Sequence, residues 1–510
     1  MCIRDSGGTK WLVAVGVLIG FGFLAKMLQA FVVVPGFAVT YLMAGPPRLR
    51  KRLWQLLLAG AAMFASAGWW VAVVELSPKS WRPYVGGSTN NSELNLIFGY
   101  NGLGRVTGNE TGSVGGGGNG GTSMWGETGW LRMFNSEFGG QASWLIPAAL
   151  ILGAAGLAMT LRRPRTDRSR AALLLWGSWL VVTAVLLSLS KGIIHPYYTV
   201  ALAPAIGALI GIGGHMLWKR RADSAGRGVA ARSVLAGAVV VSAWWAYTLL
   251  ERSPNWHPWI KTVILVAAAI AAAALVAGPR FGKGVAGVAL AASLVAGLAG
   301  PAAYALDTAS TPHTGSIPSA GPTVAGARGG FGRPGTRTGR FPQGGQFPQG
   351  GQFPQGGFPQ GGFPPGTTGN TTTATNGGAT PTAIPPTGAG GIGGLLNATK
   401  PSAELVALLD ANADDYTWVL ATIGANNASG YQLATGDPVM AIGGFNGTDP
   451  TPTLAAFQDY VSSGKIHYFV AGGTGGRSSD SSSITSWVEA NYTKVTVGST
   501  TLYDLTQPLS

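Results

Sequence analysis

The chain has very little cysteine and few charged residues. Cys2 is the only cysteine among 510 residues, so an intrachain disulfide is impossible and cysteine-based metal sites are excluded. Only 11% of the residues are charged, against about 25% in ordinary soluble domains. Hydrophobic residues make up 46% of the chain, and the mean hydropathy is +0.26. These proportions predict a membrane protein.

Acidic residues are scarce as well. The chain holds 20 Asp and Glu against 34 Lys and Arg, which gives a net charge of +14. The basic residues lie in short runs between apolar stretches, as at 48–52, 162–170 and 219–221. Runs placed in this way orient helices in a bilayer. We therefore expect membrane lipid, and not nucleic acid, as a partner.

Apolar stretches long enough to cross a bilayer occur about nine times. They cover residues 11–25, 27–45, 53–75, 143–161, 171–190, 196–217, 233–250, 259–277 and 285–304. Alternate connections, at 46–52, 162–170, 218–232 and 278–284, hold 4, 5, 5 and 2 Lys or Arg residues. The positive-inside rule then places the connections between them, and everything after 305, outside. This predicts a multi-pass plasma-membrane protein with an extracytoplasmic C-terminus.

Composition divides the chain into four parts. Residues 1–10 are interpreted as an artefact or a cytoplasmic leader, and residues 11–304 as a transmembrane domain with a large outer loop at 76–142. Residues 305–400 are rich in Gly, Pro and Gln, with the repeat "FPQGGQFPQGG", which predicts a disordered linker. The fourth part, 401–510, has a different pattern.

Residues 401–510 alternate between strand and helix signals, which predicts a small extracytoplasmic α/β domain. Ser402 is the expected N-cap of its first helix. The domain lacks a convincing catalytic set. His467 lies within a strand pattern and is interpreted as structural. The glycine-rich stretch 472–479 lacks the Lys-Ser/Thr pair that follows the glycines of a P-loop.

The outer loop 76–142 is the candidate substrate site, because long connections are often functional. It is rich in Trp, Tyr, Phe, Asn and Arg, including Arg82, Tyr84, Asn101 and Arg105. Aromatic rings can stack on sugars, Asn can bond to hydroxyls, and Arg can clamp a phosphate. The alternative is that "ELNLIFGY" in this loop forms an amphipathic helix resting on the headgroups.

Further cations are predicted at the same level of the membrane. Lys26, between two apolar segments, either snorkels to water or binds an anion. Lys191 and His195 lie at the outer end of another pair of helices. With Arg82 and Arg105 they would form an outward cationic pocket suited to a phosphate leaving group. The alternative for the Tyr residues after His195 is an aromatic belt at the interface.

Four segments together are distinctive: "GFLAKMLQAF", "RPYVGGSTNNSELNLIFGYNGLGR", "KGIIHPYYTVALAPAIGALIGIG" and "YTWVLATIGANNASGYQLATGDPVMAIGGFNGTDPTPTLAAFQDYV". They resemble actinobacterial members of glycosyltransferase family 39, the protein mannosyltransferase-like enzymes related to the lipid A aminoarabinose transferase. The resemblance implies a GT-C helical bundle that moves a sugar, mannose by the family name, from a polyprenyl-phosphate donor. It implies an inverting transfer at the outer face to a protein or glycolipid acceptor. Beyond the donor we expect no cofactor, and no cluster of His, Asp and Glu indicates a metal site.

The resemblance also implies roles for individual residues. His195, Tyr197 and Tyr198 would line the donor pocket, and Lys26 would lie near the lipid phosphate. The family's acidic general base, in an outer loop after its first helix, has no counterpart here. Glu75 is the only candidate by position and is better interpreted as an orienting residue. We therefore expect an N-terminally truncated enzyme that is inactive alone.

Two other functions stay open as alternatives. A transporter or flippase of lipid-linked glycans would place ionisable residues near the bilayer midplane, whereas these spans are nearly free of charge. A membrane-anchored cell-wall binding protein would act through its C-terminal domain, but nine spans exceed what an anchor needs.

Overall fold

The structure is a computed structural model that describes residues 7–109, 126–223, 226–278, 282–312, 319–324, 399–445, 447–471 and 478–509. Most of the predicted linker, the glycine run of the outer loop and residues 472–477 lie outside the described residues. Within them, the predicted fold class is confirmed, since a helical membrane part and a small α/β domain are both present.

The membrane part consists of helices. They are α1 (Thr9–Lys26), α2 (Val34–Ala44), α3 (Leu49–Leu76), α4 (Glu93–Phe98), α5 (Gly104–Thr107), α6 (Gly139–Ala142), α7 (Ile146–Ala158), α8 (Arg168–Leu189), α9 (Ala203–Arg220), α10 (Gly226–Glu251), α11 (Trp259–Ala277) and α12 (Gly282–Ser310). Between them lie the 3₁₀ segments Met27–Val33, Arg132–Phe134, Ser143–Leu145 and Pro196–Leu202 and the π-helical turn Gly99–Leu103.

Eight segments of the described ranges are long and apolar enough to cross a membrane, against about nine predicted. The difference lies in Thr9–Ala44, a stretch of 36 residues that counts once. The side chain of Gln55 in α3 donates to the carbonyl of Gly7 (2.8 Å) and accepts from the hydroxyl of Tyr41 (2.6 Å). Both ends of the stretch therefore meet at one level, so α1 and α2 form a hairpin with Lys26 at its tip.

Glycines allow α1 to lie directly against α3. A Cβ on Gly16 would be 2.1 Å from the carbonyl oxygen of Ala59, and one on Gly20 would be 2.0 Å from Oγ of Ser66. Small residues of this kind let two membrane helices approach until their backbones touch. This packing fixes the first arm of the hairpin and hence the height of Lys26.

The remaining helices bury two large apolar clusters. One is centred on Leu180, Leu202 and Leu209, and the other on Leu249 and Ile264. Helix α12 continues to Ser310, so the predicted boundary at 304 differs from the structure. Beyond it, Ala320 exchanges two hydrogen bonds with the side chain of Gln141, of 3.0 and 2.8 Å. This described part of the predicted linker is thus attached to the bundle.

The C-terminal domain is built on a five-stranded sheet with the order β2-β1-β3-β5-β4. Its strands are β1 (Trp418–Ile423), β2 (Val439–Ile442), β3 (Ile466–Val470), β4 (Tyr492–Val497) and β5 (Thr500–Pro508), and its helices are α13 (Ala403–Asp410), α14 (Ala425–Thr435), α15 (Leu454–Ser462) and α16 (Ser479–Asn491). The first three strands are parallel, whereas β5 is antiparallel to both β3 and β4. Ser402 caps α13 as expected, since its hydroxyl accepts the Leu405 N–H (3.3 Å).

Candidate functional site

Lys26 occupies the tip of the hairpin formed by α1 and α2. The helix ends there because Met27 adopts φ +41°, a conformation that is uncommon for a non-glycine residue. The ammonium group lies 4.5 Å from the ring centroid of Tyr198 and 5.9 Å from that of Tyr197. Both distances are in the range of a cation–π interaction. The structure therefore brings together three residues that the sequence analysis had assigned to one pocket.

His195 directly precedes the 3₁₀ segment Pro196–Leu202, which Pro196 starts. Its ring stacks on that of Tyr197, with centroids 5.2 Å apart and planes 13° apart, and meets Tyr198 edge-on. Burial and the positive charges of Arg105 and Lys26 lower the pKa of His195 to about 4. The imidazole is therefore neutral at pH 7, and the two cations add to the effect of burial.

Arg105 connects the outer loop to the segment before His195. Its guanidinium lies 4.4 Å from the ring centroid of Tyr100, and its Nη1 donates to the carbonyl of Ile193 (3.0 Å). Two backbone bonds support this contact, from Lys191 N–H to the carbonyl of Val106 (3.1 Å) and from Gly192 N–H to that of Arg105 (2.9 Å). The Lys191 side chain itself is exposed.

Asn101 links the same part of the outer loop to the hairpin. Its Nδ2 atom donates to the sulfur of Met27, 3.3 Å away, one residue after Lys26. The structure thus groups six predicted residues, which we call the cationic cluster. Its members are Lys26, Asn101, Arg105, His195, Tyr197 and Tyr198.

Arg82 and Tyr84 lie in a neighbouring group within the outer loop. Nη2 of Arg82 donates to the carbonyl of Asn91 (2.5 Å), and the Tyr84 hydroxyl donates to the backbone carbonyl of Ser88 (2.6 Å). This group is adjacent to the cationic cluster. Gly87, in the same part of the loop as Arg82 and Tyr84, is so close to Tyr100, the ring beside Arg105, that a Cβ on Gly87 would lie 3.5 Å from that ring. Of the five predicted cations, Arg82 thus bonds within the outer loop, whereas Lys26 and Arg105 lie close enough to His195 to lower its pKa.

Glu75 ends α3 and supports this second group. Its Oε1 atom accepts hydrogen bonds from the Ser92 hydroxyl (2.6 Å) and from Leu94 N–H (2.8 Å). Ser92 is also the N-cap of α4, where its hydroxyl accepts the Asn95 N–H. The carboxylate thus holds the start of α4, an arrangement that suits the orienting interpretation of Glu75.

Asp449, which no sequence pattern indicated as a site residue, lies in the loop after β2 and contacts the outer loop. Both its carboxylate oxygens accept the Gly87 N–H, at 3.1 and 3.2 Å. Gly87 has φ +79°, which favours glycine there. Asp449 is only 8% exposed, and burial raises the pKa of its carboxyl, an effect that the Gly87 N–H partly offsets. The only feature of the sequence that could have indicated Asp449 is its position as the one acidic residue of the glycine-rich stretch "GGFNGTD".

Arg132, also in the outer loop, was not among the candidate site residues predicted from the sequence. It is 2% exposed, and its Nη1 atom donates to the carbonyls of Leu187 (3.3 Å) and Ser190 (2.7 Å) at the end of α8. Burial lowers its pKa to about 10, which still leaves the guanidinium charged at pH 7. Arg132 therefore fixes the segment that leads to Lys191 and His195.

His467 stacks between Tyr416 (4.2 Å) and Tyr468 (3.8 Å) in the C-terminal domain, and burial lowers the pKa of its imidazole. This packing suits the structural interpretation. Across the described ranges, no three His, Cys, Asp or Glu side chains form a group that could hold a metal ion.

Comparisons with known proteins match both ends of the chain. Residues 2–70 match the family described as "Dolichyl-phosphate-mannose-protein mannosyltransferase", and residues 405–491 match "Putative mannosyltransferase YkcB-like, C-terminal". The first region contains the Lys26 hairpin, and the second contains Asp449. No solved structure matches.

Two proteins of Bacillus subtilis (strain 168) are similar to nearly the whole chain. "Putative mannosyltransferase YkcB" is 26% identical over 575 aligned positions, which cover 95% of this chain and 70% of that protein. "Putative mannosyltransferase YycA" is 26% identical over 576 positions, covering 96% of this chain and 72% of that protein. These matches confirm the resemblance found in the sequence, since the chain is similar to putative mannosyltransferases over most of its length.

Proposed function

We propose that the chain takes part in the transfer of a sugar, mannose, from a polyprenyl-phosphate donor to an acceptor hydroxyl at the outer face of the plasma membrane. The observation that carries the proposal is the cationic cluster, in which Lys26, Arg105 and His195 meet two Tyr rings at one end of the helical bundle. The names of the relatives support the choice of sugar. The membrane-spanning helices and the cationic cluster both suit a donor whose lipid chain lies in the bilayer.

The chemistry assigns tasks to three members of the cluster. The acceptor hydroxyl would attack the anomeric carbon while the bond from that carbon to the phosphate oxygen breaks, which inverts the configuration. The electron pair of that bond leaves with the phosphate, whose negative charge Lys26 and Arg105 would stabilise. Tyr197, 40% exposed, offers a ring face to the sugar. The acceptor proton would pass to a base outside the cluster, in line with the acidic base that the family resemblance places in another outer loop.

The acceptor in this proposal is a protein or a glycolipid. The C-terminal domain reaches the outer loop through Asp449, so it lies beside the loop that carries Asn101 and Arg105. With the outer loop on the extracytoplasmic side, the C-terminal domain would share that side. An acceptor held by this domain would then be next to the donor.

Donor binding by the purified chain tests the proposal without requiring turnover. We expect Lys26→Gln to weaken the binding of polyprenyl-phosphate mannose about tenfold, because a hydrogen bond to a charged group contributes roughly 1.5–3 kcal/mol. Lys10→Gln is the matched control, since Lys10 is exposed at the other end of the same helix. Equal affinities of the two variants would contradict the assignment of the phosphate to Lys26.

A further inference from the structure

A cavity of about 420 Å³ lies between α7, α9, α10, α11 and α12, apart from the cationic cluster. Its volume is within the range of about 300–1,000 Å³ that is usual for ligand pockets. The walls are mainly apolar and include Leu152, Ile210 and Leu235. Leu290, Leu294 and Leu298 of α12 also line it and are about half exposed, so the cavity opens on the side of the bundle. On membrane-spanning helices that side faces hydrocarbon.

The cavity extends towards the end of the bundle opposite the cationic cluster. Helix α9 begins just after the segment that holds Tyr197 and Tyr198, whereas Trp218, near the end of α9, lines the cavity. Fifteen residues separate Ala203 from Trp218, which is about 22 Å along a helix that rises about 1.5 Å per residue. Leu275, near the end of α11, lines the same region. This end carries the basic connections that the positive-inside rule places in the cytoplasm.

Two guanidinium groups lie at this end of the cavity. That of Arg221 lies 3.7 Å from the ring centroid of Trp218 and donates to the Trp218 carbonyl (2.5 Å). Arg232 donates to the carbonyl of Arg221 (3.2 Å) and lies one helical turn before Leu235. Among the described residues neither Arg221 nor Arg232 forms an ion pair, whereas Arg220 pairs with Asp223 (3.6 Å).

We propose that this cavity binds an anionic glycerophospholipid of the cytoplasmic leaflet. One acyl chain fills the space between α9, α10 and α12, and the phosphate lies at Arg221 and Arg232. Basic groups above an apolar space between membrane helices complement the headgroup and the chain of such a lipid. The isoprenoid chain of the donor does not fit this placement, because the proposed phosphate site of the donor is at the opposite end of α9.

A cavity-filling variant tests where the acyl chain lies. Nothing is within 4 Å of the place where a Cβ on Gly211 would stand, so Gly211→Leu projects into the cavity without a clash at that atom. Gly207→Leu is the matched control, since Gly207 is one turn earlier on α9, equally open, and not part of the lining. With the full chain in detergent, native mass spectrometry should show phosphatidylglycerol binding reduced at least fivefold by Gly211→Leu (about 1 kcal/mol). Gly207→Leu should stay within about twofold of the original chain.

A second comparison tests the headgroup. The original chain should bind phosphatidylglycerol about tenfold more tightly than phosphatidylcholine with the same acyl chains, since one carries a net negative charge and the other none. The double variant Arg221→Gln/Arg232→Gln should lose this preference, while Arg227→Gln, an exposed residue at the same end, should keep it.

Three results would overturn the proposal. The first is equal binding of the two phospholipids by the original chain. The second is equal loss of binding in the Gly211→Leu and Gly207→Leu variants. The third is displacement of phosphatidylglycerol by a polyprenyl phosphate in a manner that Gly211→Leu abolishes, which would assign the cavity to the donor chain. The first two results do not bear on Lys26, and after the third result the comparison of Lys26→Gln with Lys10→Gln still tests the donor phosphate site separately.

Discussion

At the scale of single residues, His195 responds both to its burial and to the charges around it. Its pKa is lowered to about 4 by burial and by the charges of Arg105 and Lys26, so the imidazole is neutral at pH 7. A phosphate bound between these cations would oppose their field and favour the protonated imidazole. The direction of the change on binding is therefore fixed by the geometry of the cluster.

We expect the pKa of His195 to rise from about 4 towards its ordinary value of about 6.5 when a short polyprenyl phosphate binds. Nuclear magnetic resonance of ¹⁵N-labelled histidine, titrated with and without the ligand, measures this change. The His195→Gln variant identifies the signal among the five histidines. An unchanged or lower pKa in the bound state would show that the phosphate lies elsewhere.

Residue chemistry explains why part of this cluster was predictable. A Lys between two apolar segments and the run Lys-Gly-Ile-Ile-His-Pro-Tyr-Tyr are rare in such a chain. These two patterns therefore indicated Lys26, His195 and the Tyr pair as site residues. The division of the outer loop into two groups was not predictable, because it depends on local bonds such as that from Arg82 to Asn91. The composition of the loop does not determine which backbone carbonyl accepts a hydrogen bond from a given guanidinium group.

At the scale of elements, strong periodic patterns were predicted and weak ones were missed. The apolar membrane helices and the strands β1, β2 and β3 have continuous hydrophobic runs. Helix α14, "ANNASGYQLAT", holds Asn and Gly, which are poor helix formers, and it forms where Ala428 and Tyr431 pack against the sheet. The hairpin of β4 and β5 has a mostly polar outer face with many Thr residues, so it gave little apolar signal.

The contact between the loop after β2 and the outer loop gives a prediction at this scale. Asp449→Leu removes both acceptors of the Gly87 N–H, so amide exchange at Gly87 should become about tenfold faster, since bonds to charged groups contribute roughly 1.5–3 kcal/mol. Asp449→Asn keeps one acceptor and should change the rate much less. Asp410→Leu, at an exposed residue of α13, serves as the control. Slow exchange in the Asp449→Leu variant would mean that other contacts hold the two loops together.

The same contact should depend on pH. Because burial raises the pKa of Asp449, the folded state keeps this proton at pH values where the unfolded chain has lost it. The contribution of this group to the free energy of unfolding is therefore largest at low pH and is lost as the pH rises through the raised pKa. Asp449→Asn should remove this part of the dependence, which urea unfolding at a series of pH values above the ordinary pKa of Asp measures. An identical slope in both proteins would contradict the burial effect.

At the scale of the whole molecule, the two ends of the chain match mannosyltransferase families separately, and the structure joins them at the outer loop. The outer loop, the segment before His195 and the connection at Arg252 also meet, since Arg252 donates to the carbonyls of Asn135 (2.5 Å) and Phe134 (2.7 Å). Alternate connections thus assemble at one end, as the distribution of basic residues predicts. The side of the membrane on which they lie follows only from the positive-inside rule.

Cysteine labelling of intact cells tests that side. After Cys2→Ser the chain has no cysteine, so a single introduced cysteine reports one position. We expect a membrane-impermeant maleimide to label Ser463→Cys, on the exposed end of α15, but to label Arg163→Cys, in a basic connection, only after the membrane is opened. Ser77→Cys, at the start of the outer loop, should behave like Ser463→Cys, because Asp449 joins the C-terminal domain to that loop. If Arg163→Cys alone reacted in intact cells, the bundle would be inverted. The cationic cluster would then face the cytoplasm, and transfer at the outer face would be excluded.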